Sequence, residues 1–382
     1  MDVFEYNLWV KKIAISYLLA TLALLISVIT LINIDLEIAD KTTSSKSSVQ
    51  LNDDFGDARE LTFPADHYPH NNSIEWWYYN GHLSDSLGNP YGFHAVVFKG
   101  RSGSNQVGHM AHTSLTDINE QTHYQSTKLG NTSGGETHWY RFIKDDWKIQ
   151  AKDNYHEIEV SSADHTLKLD MVGSGNIILH NTNGYIGDET GWTYYYSEPN
   201  LVTSGELILD GKKMEVLGSS WMDHQWGEFT VTGYPSGWQW FAISLPNNQY
   251  LMLSESRDNN KNLITYATFK NSSGSLFHID GEDIELINLD YWESPKTGAL
   301  YPRKWILSIK KHSILIELES AVLDQELTEA FPPQTIYWEG VATVSGIINN
   351  NYFTEKDDYR AFVELVGYVD VNSIPINKDT TD

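Results

Sequence analysis

From about Leu61 onward the chain runs in short alternating or wholly apolar stretches separated by turn residues, the two-residue period of half-buried β-strands. Tyr91-Gly-Phe-His-Ala-Val-Val-Phe98, Glu157-Ile-Glu-Val160, Leu167-Lys-Leu-Asp-Met171 and Gly205-Glu-Leu-Ile-Leu209 each read as a strand. So do Trp305-Ile-Leu-Ser-Ile309, Ile314-Leu-Ile-Glu-Leu318, Val341-Ala-Thr-Val344 and Ala361-Phe-Val-Glu-Leu365. Asp210-Gly211, set between Leu207-Ile-Leu209 and Met214-Glu-Val216, predicts a type I′ hairpin. Pro246-Asn-Asn-Gln249 predicts a longer loop between Trp240-Phe-Ala-Ile-Ser244 and Tyr250-Leu-Met-Leu253. Antiparallel strands in such number escape exposed edges by closing into barrels or stacking as sandwiches, so the expected class is all-β. The Gly233-Tyr-Pro-Ser-Gly237 turn suggests two strand-rich domains, 61–235 and 236–372, with a tail at 373–382.

The only long apolar run is Ile13 to Ile32, which as a helix is about 30 Å long and matches a bilayer core. Lys11 and Lys12 precede it, and Asp35, Glu37 and Asp40 follow. The positive-inside rule then puts the N-terminus in the cytoplasm and the rest outside. The expectation is a stub and transmembrane signal anchor over 1–35 and a solvated linker over 36–60. The body would lie on the periplasmic or extracellular side, and would be secreted if the anchor were cleaved.

Composition narrows the partners. Thirteen Trp, 22 Tyr and 13 Phe in a chain of 382 residues call for large aromatic surfaces of the kind pleated sheets offer. A net charge of −25 repels phosphate backbones, and no basic cluster offsets it locally, so nucleic acid is not an expected partner. Cysteine is absent, which excludes disulfides and thiolate chemistry. Asn71, Asn131 and Asn271 each fit N-x-S/T, which matters only in a glycosylating pathway. There is no G-x-S-x-G elbow, P-loop or dinucleotide fingerprint.

Two segments concentrate chemistry. In Asp66-His67-Tyr68-Pro69-His70 and Glu75-Trp76-Trp77-Tyr78-Tyr79, strand alternation puts Glu75, Trp77 and Tyr79 on one face and Trp76 and Tyr78 on the other. Glu75 could thus point into a barrel lumen, or could simply bond backbone amides. In Ser219-Ser-Trp-Met-Asp-His-Gln-Trp-Gly227, an acid and an imidazole stand beside two indoles, the equipment of general acid–base chemistry. Alternation sets Asp223 and His224 on opposite faces, and His224 and Trp226 on the same one. A hydrogen-bonded core histidine would account for that segment equally well. His109 and His112 have ligand-like spacing but no evident third ligand, so no metal site is expected.

Taken together, Asp66-His67 with His70, Glu75-Trp-Trp-Tyr78, Tyr194-Tyr-Tyr-Ser197, Gly218-Ser-Ser-Trp-Met-Asp-His-Gln-Trp226, Gly237-Trp-Gln-Trp-Phe241, Tyr337-Trp-Glu-Gly340 and Val363-Glu-Leu-Val-Gly-Tyr368 resemble the AttH/carotenoid 1,2-hydratase family. That family is similar in fold to kievitone hydratase and to fungal Diels–Alderases. The resemblance implies two lipocalin-like antiparallel β-barrel domains and a hydrophobic small-molecule ligand held between or within them. It implies a cofactor-free hydratase on an isoprenoid or similar substrate, with Asp223, His224 and Glu75 catalytic. Trp76, Tyr78, Trp226, Trp240, Gln239 and Glu255 would bind substrate. Two positions depart from the family: Gln239 stands where relatives carry an acid, and Leu253 to Ser256 offers only Glu255 where hydratases carry a Tyr and an Asp. A non-catalytic carrier of a hydrophobic ligand is the first alternative reading, and a hydrolase pairing Glu75 with Asp223 is the second.

Overall fold

The computed structural model describes residues 59–102, 106–135, 138–188, 191–229, 236–257, 263–328, 336–354 and 360–370. The expected anchor at 1–35 and most of the linker lie outside them. Among the described residues no helix is long and apolar enough to cross a membrane.

Strands form two antiparallel sheets. The first contains β1 (Ile74–Asp85), β2 (Pro90–Ser102), β3 (Gln106–Asp117), β4 (Thr122–Gly135), β5 (His138–Lys144), β6 (Trp147–Lys152), β7 (Tyr155–Ser161), β8 (His165–Val172), β9 (Ile178–Leu179), β10 (Tyr185–Asp188), β11 (Gly191–Leu209) and β12 (Lys212–Glu228). β1 lies between β2 and β12, the meander runs on to β8, and β8 pairs with the second half of β11. Ten strands therefore close into a barrel, leaving β9 and β10 on the first half of β11. A bulge between Glu198 and Leu201 makes this division possible, because the extra residue reverses which side chains point inward. Tyr194 and Tyr196 face the barrel core before it, and Leu201, Leu207 and Leu209 after it. The hairpin at Asp210-Gly211 forms as its sequence predicts, with φ of 51° and 74°.

The second sheet contains β13 (Gly237–Leu245), β14 (Gln249–Arg257), β15 (Leu263–Lys270), β16 (Leu276–Asp280), β17 (Glu285–Glu293), β18 (Leu300–Ile309), β19 (Ile314–Ser320), β20 (Glu326–Leu327), β21 (Tyr337–Ile348), β22 (Asn351–Phe353) and β23 (Arg360–Val366). Its order is β16-β15-β14-β13-β23-β21-β19-β18-β17, with β20 and β22 on β21. This corrects the expectation of a second closed barrel: it is a half-barrel, and among the described residues nothing pairs β16 with β17. The cause lies in the strands themselves. β16 has only five residues, and β17 alternates between exposed and half-buried positions without one fully buried residue. Its half-buried positions include Asn288 and Asp290, and Asp290 is already ion-paired with Arg303. Closure would desolvate those polar groups with little apolar gain.

Three apolar layers result. Trp77, Trp147, Trp226, Tyr140, Phe142 and their neighbours fill the barrel, and Phe241, Trp305, Trp338 and Leu365 belong to the core of the second sheet. Between the sheets lies a third cluster, with Tyr78, Val96, Tyr195 and Trp221 from the barrel's outer face and Trp240, Ala242, Tyr250 and Met252 from the half-barrel. The approach is close enough that a Cβ on Gly92 would stand 1.9 Å from Val341 Cγ2.

Candidate functional site

The pairing of β1 with β12 distributes the expected site residues. Glu75 stands opposite Trp226, Trp77 opposite His224 and Tyr78 opposite Asp223. Glu75, His224 and Trp226 point into the barrel, whereas Trp76, Tyr78 and Asp223 point out toward Trp240. Gln239 and Glu255 belong to a third place, where the Gln239 amide donates to Glu255 at 3.0 Å and accepts from Trp305 Nε1 at 2.9 Å. Asp223 and His224 thus serve different clusters. Glu75 and Asp223 lie on opposite faces of the sheet, which removes the carboxylate pair a hydrolase would need. His109 and His112 also part, because residues three apart in a strand face opposite sides.

The cluster inside the barrel is a chain of alternating charges. The Arg59 guanidinium pairs with both oxygens of Asp66, and His70 bridges Asp66 Oδ1 (3.1 Å) and Glu75 Oε1 (2.8 Å). Lys99 Nζ donates to Glu75 Oε2 at 2.7 Å, and His224 Nε2 donates to Glu75 Oε1 at 2.9 Å. Burial opposes ionisation of Glu75, but hydrogen bonds from His224 and His70 outweigh it and hold the carboxyl well below its usual range. Burial likewise disfavours charge on His70, yet its two carboxylate partners raise it, and its ring stacks on Trp226 at 3.9 Å as a cation–π contact. His224 is different: burial pushes it down to about 4 despite Glu75, so at neutral pH it is uncharged and accepts from Tyr196 through Nδ1. His70, Glu75 and His224 each offer a ligand atom within 4.8 Å of the others. Those atoms are already engaged by protons and by Lys99, so a divalent ion would have to displace an ammonium group first.

The cluster between the sheets is chemically opposite. Asp223 Oδ1 accepts from Ser197 Oγ (2.5 Å) and Trp221 Nε1 (2.6 Å), and Oδ2 accepts from Tyr195 Oη (2.5 Å), itself an acceptor of Trp240 Nε1 at 2.9 Å. Among the described residues no cation reaches it. Burial pushes the carboxyl up to about 7 even though Ser197, Tyr195 and Trp221 pull the other way. His180 extends the network, with Nε2 2.7 Å from Ser197 Oγ and Nδ1 2.9 Å from Thr268. Across the interface Glu339 accepts from Tyr78 Oη at 2.6 Å, and Glu364 accepts from Trp238 Nε1 at 2.7 Å. Burial raises both, Glu364 to about 7, and Asp223 adds like-charge repulsion. Ser197, His180, Glu339 and Glu364 were not singled out by sequence reasoning as site residues. For Ser197, Glu339 and Glu364 the one signal was position inside motifs that carried the family resemblance; His180 had none.

A pH dependence follows from Asp223. The folded chain keeps this proton up to about pH 7, whereas the unfolded carboxyl loses it near 3.8, so the folded state binds the extra proton in between. The stability this group contributes is complete below that window and is lost as pH rises through it. The unfolding free energy from urea titration should therefore fall across the window, by about 1.4 kcal/mol per pH unit for this group alone, and Asp223→Asn should lessen the slope. A flat wild-type profile would contradict the assignment. Glu75 and Asp66, whose folded values are depressed, act at lower pH and with the opposite sign.

The fold is all-β, a closed ten-strand barrel with a half-barrel. The chain belongs to the AttH-like family, whose model matches residues 55–368. It is similar to the crystal structure of an AttH protein from Nitrosomonas europaea, with 26% identity and a TM-score of 0.71 over 81% of this chain and 98% of that one. It is also similar in fold to kievitone hydratase from Nectria haematococca, with 18% identity and a TM-score of 0.68 over 81% of this chain and 94% of that one. A search of curated proteins returns no match.

Proposed function

We propose that this chain is an extracytoplasmic hydratase-type enzyme, tethered through Ile13 to Ile32, that adds water to a double bond of a hydrophobic substrate without a cofactor. One observation carries the reading: Asp223 is a fully enclosed carboxyl with a value near 7, surrounded by the indoles of Trp221 and Trp240 and the phenols of Tyr78 and Tyr195. A general acid needs to hold its proton at working pH and still release it. In the reaction the Asp223 proton passes to one alkene carbon as the π electrons form the new C–H bond. The cation left on the other carbon is stabilised by aromatic faces and by the Asp223 carboxylate just formed. Water then adds to that carbon and its surplus proton returns to Asp223, so the acid is regenerated. Kievitone hydratase shows that hydration can be built on this fold.

A carrier that holds such a ligand unchanged is the second reading, favoured by the saturation of both Asp223 oxygens by three donors. The test is mass spectrometry of hydrophobic extracts incubated with the full chain. A gain of one water supports the hydratase, and a retained but unaltered ligand establishes the carrier instead.

A further inference from the structure

Between the sheets, beside the acids already described, four buried polar atoms have no hydrogen-bond partner among the described residues. They are Nδ1 and Nε2 of His94, Nε2 of His112 and Oε2 of Glu339. All three side chains are fully enclosed. Strand alternation places His94 on β2 on the same outer face as Val96, which packs in the layer between the sheets. The His94 ring lies 5.4 Å from that of Tyr78 and 6.2 Å from that of Tyr337. Tyr78 bonds Glu339 at 2.6 Å, and Tyr337 bonds His112 Nδ1 at 3.0 Å. The four atoms therefore belong to one connected group from β1, β2, β3 and β21. An imidazole buried with both nitrogens unmet is costly, and a single such residue calls for an explanation. Here the orphaned atoms gather around two tyrosines at the edge of an aromatic layer, which is how a few polar groups orient a hydrophobic ligand.

We propose that His94, His112 and Glu339 bind the polar end of the substrate, and that this end is a neutral oxygen group, a hydroxyl above all. The donor and acceptor inventory decides the class. Burial keeps both imidazoles neutral, so His94 presents one donor and one acceptor, while His112, whose Nδ1 is engaged by Tyr337, presents Nε2 alone. Glu339 retains its proton and adds a further O–H donor. A hydroxyl both gives and accepts a hydrogen bond, so it can meet an imidazole acceptor and the Glu339 donor together. An ammonium group only donates and leaves the O–H and imidazole N–H unmet. A carboxylate only accepts, and it would also face Asp223 and Glu364. A pure hydrocarbon leaves every orphaned atom as it is. This inference rests on the reading of the inter-sheet layer as the substrate site and adds which class of substrate it takes.

The experiment is equilibrium binding of four probes to the full chain, followed by quenching of tryptophan fluorescence: 1-decanol, decane, decanoate and decylammonium. The expected result is 1-decanol binding at least about tenfold more tightly than the other three, the discrimination expected when buried polar groups are left unpaired. His94→Leu should reduce the alcohol-over-alkane preference, taken as the ratio of the two affinities on the same variant, to about twofold or less. Equal affinity for alcohol and alkane would make the orphaned atoms internal water sites and overturn the proposal. So would tightest binding of the ammonium or the carboxylate, or a preference that survives in His94→Leu. The probe ranking is read on the wild-type chain and needs no turnover. An alcohol preference without conversion of any substrate would defeat the hydratase reading and leave this one standing.

Discussion

Asp223→Asn is expected to lower turnover by about 10²–10⁴-fold while the chain stays folded. The fold should survive because asparagine copies the protonated acid. Its carbonyl oxygen can accept from Ser197 and Trp221 as Oδ1 does, and its amide nitrogen can donate to Tyr195 Oη once the phenol turns its own hydrogen away, which reverses that one bond. What it cannot do is release a proton. The same exchange removes the cost of ionising a buried carboxyl, so above about pH 7 the variant should be at least as stable as the parent. Wild-type turnover should correspondingly decline as pH rises through that value, when the general acid is lost. Two measurements decide the matter, the pH–rate profile of the parent and the single-turnover rate of the variant at matched thermal stability. Unchanged turnover in Asp223→Asn would remove the residue from the chemistry and shift the assignment to the carrier.

The division of labour between Asp223 and His224 was legible in the sequence, because a period of two puts neighbours on opposite faces wherever a strand is regular. Glu75, His224 and Trp226 could be placed together on the same grounds, given only that β1 and β12 pair. Glu339 and Glu364 were not legible. Each is a lone acid in an apolar strand, and they come to Tyr78 and Trp238 only through β21 and β23, far along the chain. No local pattern encodes that approach. Glu75-Trp-Trp-Tyr78 and Tyr337-Trp-Glu-Gly340, distant in sequence, meet where Tyr78 donates to Glu339. The open half-barrel was missed because alternation reports that a strand forms, not whether its edge finds a partner. Polar Asn288 and Asp290 within β17 were the available warning.

Lys99→Met should destabilise the folded chain by about 3–5 kcal/mol, the largest stability loss expected from a single change in the barrel. Lys99 is 6% exposed and Glu75 not at all, and the ammonium also donates to the carbonyl of His70. Methionine keeps most of the stem's volume, so packing is a minor part of the loss. The main effect is electrostatic. Removing Lys99 leaves Glu75 with His70 as its one charged partner among the described residues, and His70 is shared with Asp66. In Arg59–Asp66–His70–Glu75–Lys99 three positive groups alternate with two negative ones, so each carboxylate sits between two cations. Losing the terminal cation makes Glu75 either stay ionised with less compensation or take up a proton and release His224 and His70. Both routes weaken the contact between β1, β2 and β12, where the barrel carries its most buried charges. The double variant Lys99→Met with Glu75→Leu should recover much of the loss, because it removes the uncompensated charge as well. Chemical denaturation of the four chains in this cycle measures the coupling directly. If Glu75→Leu instead abolished turnover without changing the denaturation midpoint, the barrel cluster would be part of the catalytic machinery and not the structural pin of β1 to β12.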